Sequence, residues 1–252
     1  MIADQRLDQI LQIASQKEFV EVDDLATRLN VSQMTIRRDL QRLSDMGLMQ
    51  RRYGGAVLCN AAREEKDYTT KKSLNQESKK RLATVALNYV NPNDILYLDG
   101  GTTTFELAGL LDSSLNLTVL TNDISISREL LSRDVSTILV GGILQKSTQT
   151  SMGAVAVEFL KQFSVTTAFM GTNAVSHDFD TMSPTMDKAC LKRTAMQIAQ
   201  KSILLADDSK FYGYSLNRFA NLADFSAVIT NKNFSDVELK RMEALFIHVV
   251  SI

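Results

Sequence analysis

Neither sign of charge is in excess: 28 lysines and arginines stand against 29 aspartates and glutamates, a formal net charge of -1. That balance leaves no global electrostatic footprint for a polyanion, so any such site has to appear as a local concentration of charge. Cysteine is scarce, and Cys59 and Cys190 lack metal-ligand spacing. His177 and His248 are too few and too scattered for a metal site or a catalytic dyad and read as structural or surface residues. No apolar run approaches the roughly 20 residues that span a bilayer. The opening MIADQRLDQI has neither a basic leader nor an apolar core for export. A cytoplasmic chain without membrane contact, cofactor or metal is expected, and repeats and low-complexity tracts are absent. What is present is ordinary globular material, 44% hydrophobic and 23% charged over 252 residues, enough for one large domain or two unequal ones.

Leu7, Ile10, Leu11 and Ala14 recur at helical spacing, Asp23 to Leu29 gives a second short helix, and Ser32 opens a third containing Ile36, Leu40 and Leu43. Gly47 is the expected stop of that helix. Residues 1–58 form one domain on this reading, and the charged, aperiodic stretch 59–75 forms a linker. A helix over Gln76 to Tyr89 then opens a second domain, 76–252. After Pro92, apolar runs at 95–99, 117–122, 136–142, 165–171, 202–210 and 226–231 each lead into a polar or glycine-rich turn, and LFIHVVSI supplies a seventh. Amphipathic segments at 104–111, 124–132, 154–162 and 188–200 lie between them. Such alternation predicts an α/β fold with a mostly parallel, doubly wound, Rossmann-like sheet.

The segment VDDLATRLNVSQMTIRRDLQRLSDMGLMQRRYGG places Leu25, Ala26 and Leu29 on one helix, a tight turn at Asn30 and Val31, and Ser32 as cap of the next. That pattern predicts a helix-turn-helix whose second helix enters the major groove, with Gln33, Thr35, Arg37 and Arg38 facing bases or phosphates. Residues 33–55 hold five arginines and two aspartates, a local positive excess inside a near-neutral chain. LMQRRYGGAVL alternates around a Gly-Gly turn, as a wing would, with Arg51 and Arg52 toward the DNA backbone or minor groove. An arginine-rich helix is often no more than a solvated face. Here cap, turn, stop and wing occur together, which favours the DNA reading.

Downstream, DGGTTT follows a strand and enters a helix. Gly100 and Gly101 permit close backbone approach, and Thr102, Thr103 and Thr104 offer hydroxyls and N–H groups to a phosphate. Thr121-Asn122 and Gly141-Gly142 end neighbouring strands, where open α/β sheets bind ligands. Asp207-Asp208-Ser209-Lys210 adds a cation, Lys210, with carboxylates for hydroxyl groups. Each element alone is more often a turn or a capped loop; their repetition after apolar strands is what points to a site.

VSQMTIRRDLQRLSDMGLMQRRYGGAV closely resembles the N-terminal signature of the DeoR family of bacterial regulators, in which a Thr-[Ile/Val]-Arg-Arg-Asp-Leu helix precedes a basic wing. The resemblance implies DNA contacts at Ser32, Gln33, Thr35, Arg37, Arg38, Arg51 and Arg52. It extends over nearly the whole chain through Asp99-Gly100-Gly101-Thr102-Thr103, Thr121-Asn122, Gly141-Gly142, Gly171 and Asp207 to Lys210. It implies a sensor domain resembling sugar-phosphate isomerase and CoA-transferase folds, with a phosphorylated sugar or related metabolite as effector. Two positions depart from the family pattern. Gln145 stands where family members commonly carry Arg, and Asp187 stands where Glu is common, so either the ligand differs or Lys146 substitutes for the missing charge. With double-stranded operator DNA as partner, two or more wings at spaced half-sites imply a homodimer or homotetramer. The resulting expectation is a repressor of a carbohydrate-metabolism operon. An isomerase carrying a DNA-binding appendage is the alternative, with Asp99, Asp187 and Asp207 as acid-base candidates. A purely architectural DNA binder leaves the polar strand ends without a use.

Overall fold

The computed structural model describes residues 3–15, 17, 19–45, 48–58 and 67–252. The stop expected at Gly47, together with Cys59 and positions 60–66 of the expected linker, lies outside them.

Three helices, α1 (Ala3–Ser15), α2 (Val22–Leu29) and α3 (Gln33–Asp45), pack with a small antiparallel sheet of β1 (Val20–Glu21), β2 (Met49–Arg52) and β3 (Gly55–Leu58) in the order β1-β3-β2. The helical periodicity is what closes this core: Leu7, Ile10, Leu25, Ile36, Leu40 and Leu43 are each at most 1% exposed. Asn30 ends α2 in the left-handed conformation (φ 51°), and the Val31 N–H returns to the Ala26 carbonyl at 3.1 Å. This is a winged helix-turn-helix. The strand β1, too short for any alternation to announce, fits because position 55 is glycine: a Cβ there would stand 2.0 Å from the Val20 carbonyl oxygen. Arg6 of α1 and Asp39 of α3 form a bidentate buried pair, Nε to Oδ2 at 2.5 Å and Nη2 to Oδ1 at 3.1 Å.

The larger part begins with α4 (Tyr68–Ser73) and α5 (Gln76–Ala86), then runs β4 (Ile95–Leu98), α6 (Thr102–Ala108), β5 (Thr118–Thr121), α7 (Ile124–Ser132) and β6 (Ser136–Leu139). A hairpin, β7 (Ile143–Gln145) and β8 (Thr150–Met152), precedes α8 (Ala154–Leu160) and β9 (Val165–Met170). Next come β10 (Ala174–Val175), β11 (Asp180–Ser183), α9 (Met186–Gln197), β12 (Ala199–Leu205), β13 (Asn217–Asn221), β14 (Ala227–Thr230), α10 (Asp236–Ala244) and β15 (Val249–Ser251). The expected apolar runs form one seven-stranded sheet in the order β15-β14-β12-β9-β4-β5-β6. Every pairing in it is parallel. Residues alternate between two apolar layers: Leu96, Leu98 and Phe169 meet α5, α6 and α7, while Tyr97, Ala168 and Met170 meet α8 and α9. The sheet grows one way from β4 and the other way from β9, so the switch point of the strand order lies between these two neighbours.

The sequence expectation differs from the fold in the stretch 59–75, where Tyr68–Ser73 is helical and Tyr68 is buried, its ring edge-on to Phe105 at 6.5 Å. One helical turn and a half, anchored by a single aromatic, is too short to print a period on a charged sequence. A second small sheet, β10-β11-β13, and the β7-β8 hairpin also escape the sequence pattern.

Removing one member of the Arg6–Asp39 pair strands a buried charge. Asp39→Ala is therefore expected to destabilise by about 3 kcal/mol, and Arg6→Met with Asp39→Leu by much less than the two single changes combined, as read from urea unfolding; strict additivity would contradict a coupled pair. A second expectation concerns Asp123, wholly buried, whose Oδ1 caps α7 by accepting from the Ser125 and Ile126 N–H groups at 2.8 and 3.2 Å. Burial pushes its carboxyl up to about 6, against the opposing effect of those N–H groups. A raised carboxyl pKa contributes stability that is full below the unfolded value and is lost as pH rises through about 6. Asp123→Asn should thus match the wild type near pH 4 and exceed it by about 2–3 kcal/mol above pH 7. Urea midpoints across that range test this, and a pH-independent difference would refute it.

Candidate nucleic-acid interface and ligand cavity

The Ser32 hydroxyl accepts the Thr35 N–H at 3.1 Å and lies 2.9 Å from the Thr35 hydroxyl, capping α3 as its sequence position implies. With Ile36, Leu40 and Leu43 turned inward, Gln33, Arg37 and Arg38 are presented to solvent on the opposite face, and Thr35 is half-buried. Asp39, the acidic residue next to that arginine pair, is turned inward and bound to Arg6, so its charge does not oppose an approaching phosphate. In the wing, Arg52 is exposed and donates to Gln50 Oε1 at 3.1 Å, while Arg51 is half-buried. Tyr53, fully exposed at the tip just before Gly54 (φ 79°), is a solvent-facing aromatic the sequence reading passed over; its only signal was its place in a Gly-Gly turn.

At the carboxyl ends of β4 and β9 an open cavity of about 450 Å3 is lined by Asp99, Gly100, Gly101, Thr102, Thr103, Thr104, Asn122, Gly171 and Lys210, all expected from sequence. The Asp99 carboxylate accepts the Gly171 N–H at 2.9 Å and pairs with the Lys192 ammonium, which also donates to the Gly171 carbonyl at 3.0 Å. Asn122 holds the next corner. Its Oδ1 accepts from the Gly100 N–H at 2.9 Å and the Tyr97 hydroxyl at 3.1 Å, and its Nδ2 donates to the Ser151 carbonyl at 3.0 Å. Glycine is required at position 100, because a Cβ would stand 2.4 Å from the Thr150 methyl. Asp207, 1% exposed, accepts from Asn75 Nδ2 and the Ser209 N–H, both at 3.0 Å, and so joins the start of α5 to the end of β12.

Five lysines, at 71, 79, 188, 192 and 210, line the cavity against two carboxylates, Asp99 and Asp207. Burial holds the Lys79 ammonium below its ordinary pKa, with the Asp207 charge acting in the opposite direction. Lys79 Nζ donates to the Lys71 carbonyl and, at 2.6 Å, to that of Leu74. The lining favours a small ligand carrying an anionic group and several hydroxyls.

Four of the expected ligand residues lie outside the lining. Thr121 is wholly buried and accepts the Asp123 N–H at 3.2 Å. Gly141 and Gly142 are exposed at the turn into β7, where a Cβ on Gly142 would meet the Met152 carbonyl oxygen at 2.7 Å. Asp187 is exposed in the first turn of α9, a position that suits a helix N-terminus rather than a ligand. Lys146 is likewise exposed and away from the cavity. The cations the sequence reading missed are Lys71, Lys79, Lys188 and Lys192, the last two one helical turn apart on the inner face of α9. Gln145 accepts the Thr148 hydroxyl at 2.8 Å, and that same hydroxyl accepts from Lys188 Nζ at 3.1 Å, so the glutamine positions a lysine instead of supplying a charge itself.

Residues 6–62 match the family described as the DeoR-like helix-turn-helix domain, and residues 74–232 match the DeoR C terminal sensor domain. Among curated proteins the chain is 31% identical to the HTH-type transcriptional regulator FruR of Bacillus subtilis over 231 residues, 92% of each chain. It is 30% identical to the transcriptional repressor AccR of Agrobacterium fabrum over 232 residues, 90% of this chain and 88% of that one. Ribose 5-phosphate isomerase A of Methanocaldococcus jannaschii superimposes with a TM-score of 0.41 at 14% identity, covering 54% of this chain and 55% of that one. Both matched domains are those of regulators, which sets the isomerase alternative aside. A capped, arginine-bearing helix and a lysine-lined cavity thus occur in one chain whose halves both match, and the chain belongs to the DeoR family of helix-turn-helix transcriptional regulators.

Proposed function

We propose that this regulator is a cytoplasmic repressor of a carbohydrate-metabolism operon, binding double-stranded operator DNA as a homodimer or homotetramer under the control of a phosphorylated sugar. The observation that carries the effector half is the cavity's lining, five lysines beside threonine, asparagine and aspartate groups at the sheet's switch point. A phosphate answers the lysines; sugar hydroxyls answer the neutral polar groups and the carboxylates. The proposed ligand contacts are Asp99, Gly100, Gly101, Thr102, Thr103, Thr104, Asn122, Gly171 and Lys210, with Lys188 and Lys192 added. For DNA, Ser32, Gln33, Thr35, Arg37 and Arg38 would enter the major groove, and Arg51 and Arg52 would follow the wing. Repression as the direction is supported by the relative named as a repressor. Among the described residues no helix is long and apolar enough to cross a membrane.

Arg37→Ala and Arg38→Ala should each weaken binding to the region upstream of the gene by about 1–3 kcal/mol in gel-shift titrations, and loss of a phosphate contact should reduce the salt slope by about one. Unchanged affinity in both variants would count against the interface. A thermal-shift screen of pentose and hexose monophosphates should find a compound that raises the melting temperature by mass action. Lys188→Ala and Lys210→Ala should weaken that compound by about tenfold each, about 1.4 kcal/mol. A panel in which nothing moves the melting temperature would remove the sugar-phosphate reading.

A further inference from the structure

We infer that Tyr214 transmits occupancy of the cavity to the winged helix, an inference that rests on the proposal that this cavity is the effector site. Tyr214 lines the cavity and also packs against the apolar cluster built by α1, α2, α3 and the wing. Among the described residues of that cluster and its packing partners, it is the one contributed by the larger domain. One side chain therefore touches both the ligand space and the core beneath the recognition helix.

The segment that carries it is anchored on either side. Lys210, at its start, lines the cavity, and Phe211 forms an isolated bridge to Val175. Tyr212 follows in the left-handed conformation (φ 58°), which a bulky residue seldom adopts unless its surroundings impose it. Those surroundings are explicit. The Tyr212 hydroxyl donates to Glu238 of α10, its ring stacks on His177 at a centroid distance of 4.7 Å, and the Lys232 ammonium lies 4.8 Å from the ring centroid. Beyond Tyr214, Ser215 is 3% exposed, also lines the cavity and leads into β13. A ligand drawn to Lys210 thus acts on a short segment that is held at Tyr212 and at β13 and that carries, at Tyr214, the contact with the helix-turn-helix core. Packed contacts of this kind change between discrete arrangements and do not yield gradually, so a small displacement of the ring alters the seat of the helix-turn-helix. The competing route runs along the chain itself, through α4 and α5, whose Lys71, Leu74 and Lys79 also line the cavity.

The two routes separate experimentally in the full-length chain. The ligand probe is whichever sugar monophosphate raises the wild-type melting temperature, with inorganic phosphate as the minimal probe, and the readout is operator affinity with and without it. In the wild type the probe should change DNA affinity by about fivefold or more. Whatever Tyr214→Ala costs in probe binding or in DNA binding taken separately, saturating probe should change the DNA affinity of this variant by less than about twofold. Tyr214→Phe, which keeps the ring, should retain the coupling and controls for misfolding. Because the chain contains no tryptophan, Tyr214→Trp supplies a single indole at this contact, and its selectively excited emission should shift over the same probe concentrations as the melting temperature. Full coupling in Tyr214→Ala, or emission that stays constant while the melting temperature saturates, overturns the inference and assigns transmission to α4 and α5. Failure of every probe to bind the wild type, or to alter its DNA affinity, instead overturns the effector reading beneath it and the inference along with it, a failure visible before any variant is made.

Discussion

The Asp99 carboxylate stands where the strand order turns back, and it holds the two halves of the sheet to one another. The Asp99 backbone N–H donates to the Phe169 carbonyl at 3.0 Å, the carboxylate accepts from the Gly171 N–H, and Lys192 reaches across from α9 to both that carboxylate and the Gly171 carbonyl. The loop after β4 and the loop after β9 are thereby fixed at the mouth of the cavity. With side chains only 5% and 8% exposed, neither partner of this pair is solvated enough to lose the other without cost.

From that anchor the rest of the cavity follows by short links. Thr104, in the first turn of α6, donates its hydroxyl to the Asp99 carbonyl at 2.6 Å, which sets the direction of that helix. Asn122 then joins the Gly100 backbone to the β7-β8 hairpin, and Lys188 closes the far wall through Thr148. Every charged group along this path is held by a backbone or side-chain partner, so the cavity keeps its shape while presenting positive charge. Preorganisation of this kind lowers the ordering cost that a small ligand would otherwise have to meet.

The sheet was legible in the sequence because parallel strands covered on both faces are near-continuous apolar runs, and ILYL, TVLT and VTTAFM read that way without ambiguity. The helix-turn-helix was legible for another reason: Asn30, Ser32 and the inward leucines each carry a local conformational preference that agrees with the fold. What escaped depends on partners distant in sequence. β11 pairs with β13, with Asp180 opposite Asn221, and neither DTMS nor NRFAN carries the continuous apolar run by which β4 and β5 declare themselves. Lys188 and Lys192 were hidden differently: basic residues one turn apart on a helix read as a solvated face, and only the packing of α9 against the sheet turns them inward. Conversely, Gly141-Gly142 looked like a ligand loop, yet Gly142 answers the close approach of β8 at Met152.

Charge placement reconciles a near-neutral chain with two locally basic regions. The stretch 33–55 and the cavity lining each carry more positive than negative side chains, so with a net charge of -1 the remainder of the chain is acidic. An acidic remainder disfavours indiscriminate adhesion to DNA by any face other than the one bearing Arg37, Arg38 and Arg52. The same arrangement constrains signalling. A phosphorylated ligand of the kind proposed would neutralise lysines inside the cavity, and at physiological ionic strength such a change is strongly screened beyond about 8 Å, so its direct field on a duplex at α3 would be weak. Coulombic action at a distance is therefore a poor carrier of the signal, and the energy has to pass through contacts that differ between the two states. In this fold that requirement falls on the short list of side chains that touch both the cavity and the helix-turn-helix core.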